Sequence, residues 1–580
     1  MKVFFIILIF IIPFIGITQI NFYATPYDSL KSDYRIEGAI NDIDNATSFF
    51  DASFLITNSR SSYLSLEAFN PGGSKIHAFR MSKSPQLVSP LPHIGFSYFF
   101  GTQGAQKLGF EYQQVFRGDW VLNTAISTMK SGGFFRNTSF SQTNLDFGIS
   151  KKRENYGVSI TGRTSKIARQ WSGGVVDASL LEVFAPLLVP VNKSNCNSEL
   201  KYFGVGIVGY LRLINREKYT IGITHESIVD GNNRLFSEQD TLSGLYTNVY
   251  FDTLNTTDQY QFGRFNNTSL VYFKNSILNY SLGVSSAYWN YRNMNLFRDT
   301  FELDLLQELE FSKEKFRLKH KSKFNTIGAS HTWEVKNDLR YKNGAFTVLL
   351  LSELGQKLPE VYQRYYSSNN VFYSNTDLAL QTHSKQALEL VFKRPMYKIA
   401  TGYALHVNRG VYMYDMTQLN WSNSTELSSS VIQQAYIKSS INHKKFSWRQ
   451  VYRFSLTNTE RLIVPRHQLD GSIITSVGIF KAKRLKATFG LTYNLNSRTS
   501  VIPIIENMGQ YNLLNISTTD SQKGLFNMGA MVAVKIETFR FFVKFSNIGY
   551  FWNSTSWQYI DGIYLPELTL RVGLTWDFWN

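Results

Sequence analysis

Cysteine is almost missing from this chain: Cys196 is the single thiol among 580 residues. One thiol excludes any intrachain disulfide framework, so an exported protein of this sequence must hold its loops by packing or by the walls they spring from. Cys196 lies far from the N-terminus, which leaves no lipid-accepting cysteine behind the first apolar run. A lipoprotein is therefore not expected, and neither is a thiolate metal site.

Long hydrophobic runs are missing too. Val3–Ile12 is purely apolar, follows Lys2, and is broken by Pro13 and Gly16. This is the charged start and apolar segment of a secretory signal peptide, well short of the roughly 20 apolar residues that a spanning helix needs. Residues 1–19 are read as that signal, although Thr18, Gln19 and Ile20 make no A-x-A cleavage site. An uncleaved anchor helix is the alternative. No later stretch is long and uncharged enough to cross a bilayer as a helix. An exported chain of this kind is either soluble or a barrel, because only helices and closed barrels satisfy every backbone polar group inside lipid.

Catalytic signatures are absent as well. There is no G-x-S-x-G elbow and no Walker-type G-x-x-x-x-G-K loop. The nine histidines are scattered, with no pair at the i, i+4 spacing of a helical zinc site. No enzyme activity, metal or cofactor is expected. The N-x-S/T triplets at Asn45, Asn137, Asn192, Asn266, Asn423, Asn515 and Asn553 are read as ordinary loop and strand polar residues.

What is plentiful is aromatic side chain, 15% of the chain with 45 Phe and 33 Tyr, against a slightly negative mean hydropathy. A soluble domain would need a large core to hide them. A barrel instead displays them on its outer wall and in two interfacial girdles. The formal charge is +17. Nucleic acid is not expected as a partner of an exported chain, which leaves lipopolysaccharide phosphates, or a lumen biased toward anions.

Period-2 alternation runs through the sequence. Leu568, Leu570, Val572, Leu574, Trp576 and Phe578 share one parity, and Thr569, Arg571, Gly573, Thr575 and Asp577 the other. Tyr156, Val158 and Ile160 alternate with Gly157, Ser159 and Thr161 in the same way. From His93 onward, short connections (Lys151–Glu154, Asn215–Glu217, Lys313–Glu314, Lys342–Asn343, Arg394–Met396, His443–Lys445, Lys481–Leu485) take turns with long ones. The long ones fall near 166–198, 227–264, 355–383, 408–430, 458–470, 496–524 and 552–566. Bacterial outer-membrane barrels pair short periplasmic turns with long outer loops. The expected fold is an all-β, antiparallel, up-and-down transmembrane barrel with an even number of strands, roughly 18–22, over residues 93–580. Residues 20–92, broken by Pro71-Gly72-Gly73, Pro85, Pro90 and Pro92, read as an extended lead or partial lumen plug.

Three stretches carry a family resemblance. They are Gly132-Gly133-Phe134-Phe135-Arg136-Asn137, Trp171-Ser172-Gly173-Gly174-Val175, and Leu358-Pro359-Glu360 followed by Gln363-Arg364-Tyr365-Tyr366-Ser367-Ser368-Asn369-Asn370. With the ending Leu574-Thr575-Trp576-Asp577-Phe578-Trp579, the chain from about residue 80 resembles the "putative porin" family of Bacteroidota. The resemblance implies a barrel in the outer membrane of a Gram-negative bacterium and a porin-like role.

One charged constellation stands out. Glu302, Asp304, Glu308 and Glu310 share a parity, as do Arg317, Lys319, Lys321 and Lys323, and then Glu334, Lys336, Asp338 and Arg340. Arg or Lys at mid-bilayer costs about 2–4 kcal/mol, so these faces are expected to line the lumen. They either brace the wall or set the transverse field of the pore. A two-residue turn at Lys313-Glu314 would set Phe311 opposite Phe316, Leu309 opposite Leu318, Glu310 opposite Arg317, Glu308 opposite Lys319, Leu306 opposite Lys321 and Asp304 opposite Lys323.

The leading functional reading is a channel for passive or selective diffusion of small polar solutes. A barrel scaffold of a secretion or assembly complex is the rival, and a hydrophobic-ligand transporter is a third reading. An energised receptor is disfavoured because no globular plug or TonB-type box is evident. Expected partners are outer-membrane lipid, lipopolysaccharide and the barrel assembly machinery, the last through the closing strand Leu570, Val572, Leu574, Trp576 and Phe578. If the short basic turns face the periplasm, a cysteine placed at Lys152 in a chain lacking Cys196 stays unlabelled by an impermeant maleimide in intact cells. Ready labelling would invert the topology.

Overall fold

A strand that lies in lipid on one face and water on the other can pair all its backbone groups only with neighbours, and the last neighbour must be the first strand. The computed structural model shows this closure. It describes residues 91–579 except 117–119, 240–247, 295, 329–330, 416–418, 424–428, 444, 460–461, 463, 480–484, 502–503, 509, 512–520, 523, 553–557, 561 and 565–566. The signal peptide expected at 1–19 lies outside the described residues, as does the lead expected at 20–92 apart from Leu91 and Pro92. Among the described residues no helix is long and apolar enough to cross a membrane.

Twenty-two antiparallel strands form one sheet, and each pairs with the next in sequence. The first, His93–Gly101, also pairs with the last, Thr569–Trp579, from His93↔Trp579 through Gly101↔Arg571. His93 Nε2 lies 3.0 Å from Asp577 Oδ1, and the His93 and Trp579 rings pack at a tilt with centroids 4.1 Å apart. Phe99 and Phe542 meet across the lumen side of this seam at 5.1 Å. A Cβ at Gly573 would stand 2.2 Å from Phe99 Cδ1, so the glycine is what lets that ring lie flat on the wall.

Parity sorts the residues as the alternation requires. On the last strand Leu570, Trp576 and Phe578 are exposed and Val572 and Leu574 partly so, whereas Thr569 and Arg571 are buried. Aromatic pairs ring the short-turn rim: Tyr219–Phe273, Phe311–Phe316, Phe346–Phe392, Phe392–Tyr397 and Trp576–Phe578. This is the aromatic girdle that an interfacial position favours.

The strands are unequal in height. Asn195–Asn215, Tyr219–Gln239 and Asn255–Asn275 are each 21 residues long, about twice the 9–11 that cross a bilayer. The loops expected near 166–198 and 227–264 are correspondingly shorter. Strand persists from Tyr156 to Gln170, and from Tyr219 to Gln239. Above the bilayer both faces are wet, so the apolar alternation fades while the hydrogen-bonded ladder goes on.

The seam generates a folding test. Replacing Phe578 and Trp579 together by Ser removes an outward anchor and the ring packed against His93. The heat-modifiable, folded fraction recovered from membranes then falls severalfold. Unchanged folded yield would show that this strand end does not govern closure.

Candidate functional site

The charged residues from Glu302 to Arg340 fall on three neighbouring strands, Leu296–Lys313, Phe316–Ile327 and Trp333–Asn343. The turn between the first two lies one residue later than expected, at Glu314-Lys315, where Glu314 adopts φ 48°. Lys313 therefore pairs with Phe316, Phe311 with Leu318, Glu310 with Lys319 and Glu308 with Lys321. The expected register, Phe311 with Phe316, Leu309 with Leu318 and Glu308 with Lys319, is off by two residues. A slip of two keeps every side chain on its face, so the apolar pattern could not detect it. What fixes the register is turn conformation, and Glu is an unusual residue for left-handed backbone.

The ion pairs follow the structure's own geometry. Glu310 accepts from Arg317 and faces Lys319 Nζ at 3.8 Å. Glu308 meets Lys321 at 2.5 Å, and Asp304 meets Lys323 at 2.7 Å while accepting from Asn325 Nδ2 at 2.9 Å. Glu302 accepts from Trp289 Nε1 at 3.1 Å. Lys336 bridges Glu334 and Glu353 on the next strand, at 3.0 and 3.4 Å. Asp338 stands opposite Lys319, and Arg340 opposite Arg317, and among the described residues neither joins an ion pair. The twelve residues contain six acids and six bases, so this ladder is balanced. Such exposed cross-strand pairs contribute only about 0.2–1 kcal/mol each.

A second charged row escaped the sequence reading. Asp146, Arg163, Gly204, Asp230 and Arg264 are successive register partners across five strands. Arg163 donates to Asp146, and Arg264 holds Asp230 through Nε and Nη2 at 2.9 and 2.8 Å. Asp230 and Arg264 fell within the segment read as loop, which hid the row. On the seam strands the inward face is basic: Arg540, Lys544 and Arg571 are all buried there, with Lys544 and Arg571 as register partners.

At the long-loop rim the connections converge. The segment Lys357–Gln381 carries a turn of helix at Val361–Arg364, with Glu360 and Gln363 in a reciprocal capping box, and a hairpin pairing Tyr365–Ser367 with Phe372–Ser374. Its tip is polar and yet buried: Ser368, Asn369 and Asn370 are at most 2% exposed. Buried polar groups need partners, and here the neighbouring loop and wall supply them. Asn369 Nδ2 donates to Asp252 O at 2.7 Å, and its Oδ1 accepts from the backbone N–H groups of Phe251 and Asp252. Asn370 accepts from Thr256 Oγ1 at 2.6 Å and donates to Asn248 O at 3.0 Å. Tyr366 and Tyr373 stack at 5.9 Å among Tyr291, Tyr414, Trp421 and Met508. Burial holds both hydroxyls well above the usual phenol range, so they stay neutral donors.

A buried charge cluster ties in two more loops. Lys193 Nζ lies 3.3 Å from Glu238 and 2.8 Å from Glu506, and Arg234 donates to the carbonyls of Glu506 and Asn507. Glu506 belongs to the loop after the nineteenth strand and Arg234 to the seventh, so this contact spans the mouth. The backbone of Val175 likewise donates to Gly562 O at 3.0 Å. The mouth is thus crossed by loops from several sides.

This architecture defines an outer-membrane-type β-barrel with a polar, charged inner wall and interlocked loops. Residues 87–580 match the model of the family described as "Putative porin", and the chain belongs to that family. No curated protein matches the sequence. Among solved structures, the siderophore receptor PirA from Acinetobacter baumannii is similar over 85% of this chain and 81% of its own, with a TM-score of 0.61 at 11% identity. The copper transporter OprC covers 84% and 80%, with a TM-score of 0.63 at 9% identity. The FrpB iron transporter (F3-3 variant) from Neisseria meningitidis covers 85% and 82%, with a TM-score of 0.62 at 8% identity. At such identities the likeness is one of fold.

The mouth cluster makes a local prediction. Lys193→Ala leaves Glu238 and Glu506 buried without this cation, a change of about 3–5 kcal/mol. Limited proteolysis of the folded barrel then cuts within 497–524 at least tenfold faster, while heat-modifiability is kept. An unchanged cutting rate would show that the cluster does not hold the loop.

Proposed function

We propose that this barrel is a selective channel in the outer membrane of a Gram-negative bacterium, passing small polar solutes, with anions preferred. The observation that carries the reading is the buried polar tip Ser368–Asn370, docked by hydrogen bonds across the mouth above a charged lumen wall. The polar contacts of the tip are ones that water can replace when the loop undocks. A general diffusion pore has no need of such a closure.

The anion preference draws on the basic balance of +17. It does not draw on the ladder from Glu302 to Arg340, whose charges cancel. Lipid and lipopolysaccharide are the surroundings this reading assigns to the outer wall, and the assembly machinery its route of insertion.

Planar-bilayer recording tests the proposal. Wild-type protein gives small, infrequent openings, and deletion of 366–371 gives larger, persistent steps. Replacing Arg317, Lys319 and Lys321 together by Gln leaves the ladder with six acids against three bases and moves the reversal potential in a salt gradient toward cation preference. A barrel that stays silent after the deletion favours the scaffold reading.

A further inference from the structure

We propose that Glu334, Glu353 and His383 form a binding site for a divalent transition-metal ion of borderline softness, such as Zn2+, at the stem of the mouth loop. Their donor atoms all lie within 4.8 Å of one another. Three neighbouring strands supply them, and backbone register brings them together: Glu334, Gly355 and His383 stand in one row, Lys336, Glu353 and Lys385 in the next.

Gly355 is what makes the site possible. A Cβ there would stand 2.8 Å from His383 Cε1, so the imidazole lies across the bare glycine toward the two carboxylates. His383 is only 8% exposed, and neither ring nitrogen makes a hydrogen bond among the described residues. Its Nε2 stands 3.6 Å from Glu353 Oε1. That is too long for a hydrogen bond. It is close to the separation of about 3.4 Å expected for two donors that share a tetrahedral ion at about 2.0–2.2 Å.

The position between the carboxylates already favours a cation. Lys336 Nζ occupies it, 3.0 Å from Glu334 and 3.4 Å from Glu353. The lysine is 46% exposed and sits on a flexible stem, so it can swing into the lumen when a dication enters. Two carboxylates and one imidazole leave an open position for water or a solute, the pattern of non-structural zinc sites. The hard cations Mg2+ and Ca2+ prefer oxygen ligands, so the imidazole selects against them. Gly355 and His383 lie two residues from the last ladder pair, Lys357↔Gln381, where the mouth loop begins and ends. A bound ion would staple that stem.

The test uses the purified full-length barrel in detergent, with folding checked by heat-modifiability. Calorimetric titration with Zn2+ alone gives one ion per chain. His383→Ala and Glu353→Gln each weaken binding by at least about the 10–100-fold that loss of even an outer-shell partner brings. Lys336→Gln tightens it, because the competing ammonium is gone. His443→Ala, on the opposite rim, leaves it unchanged. Co2+ develops the intense visible bands of a four- or five-coordinate site, and His383→Ala abolishes them. Absence of Zn2+ binding, affinity unmoved by His383→Ala, or weaker binding in Lys336→Gln overturns the proposal. The readout does not involve conductance, so a barrel that conducts without binding Zn2+ refutes this site alone, and one that binds without conducting refutes the channel alone.

Discussion

The structure rests on one constraint: inside lipid no backbone N–H or C=O can be left without a partner. A sheet can meet it only by having no edge. The strand His93–Gly101 therefore needs Thr569–Trp579, and everything between them must keep to an even, up-and-down order. The same closure divides the side chains into two populations. Leu305, Phe324 and Trp576 look outward because Asp304, Lys323 and Thr575 then look inward. The charged rows on the inner wall are a by-product of closure before they are anything functional.

Faces were legible in the sequence because they depend on parity alone. Register was less legible, because a shift of two positions leaves parity untouched and the turn at Glu314-Lys315 carries no Asn-Gly or Asp-Gly signal. Strand height was hidden where the wall rises above the membrane, and Asp230 and Arg264 were hidden with it. Contacts between distant segments left no local trace. Nothing near Asn369 announces Asp252, and nothing near Lys193 announces Glu506. The His383 cluster was missed for a related reason. Helical i, i+4 spacing does not apply where three strands contribute one residue each and a glycine clears the space between them.

The inner wall and the mouth use polar groups differently. On the ladder from Glu302 to Arg340 the ion-paired acids and bases other than Asp304 are about half exposed, so they shape a field at little energetic consequence. In the mouth, Asn369, Asn370, Lys193 and Glu506 are withdrawn from water, so each lost partner counts.

The seam also bears on synthesis. His93 and Asp577 are 484 positions apart, and nearly the whole chain must be made before they can meet. Contacts of such high sequence separation form slowly. Until then the barrel is an open sheet with two unsatisfied edges. A chain cut short of Thr569–Trp579 cannot make this pairing, so closure of the wall waits on its last strand.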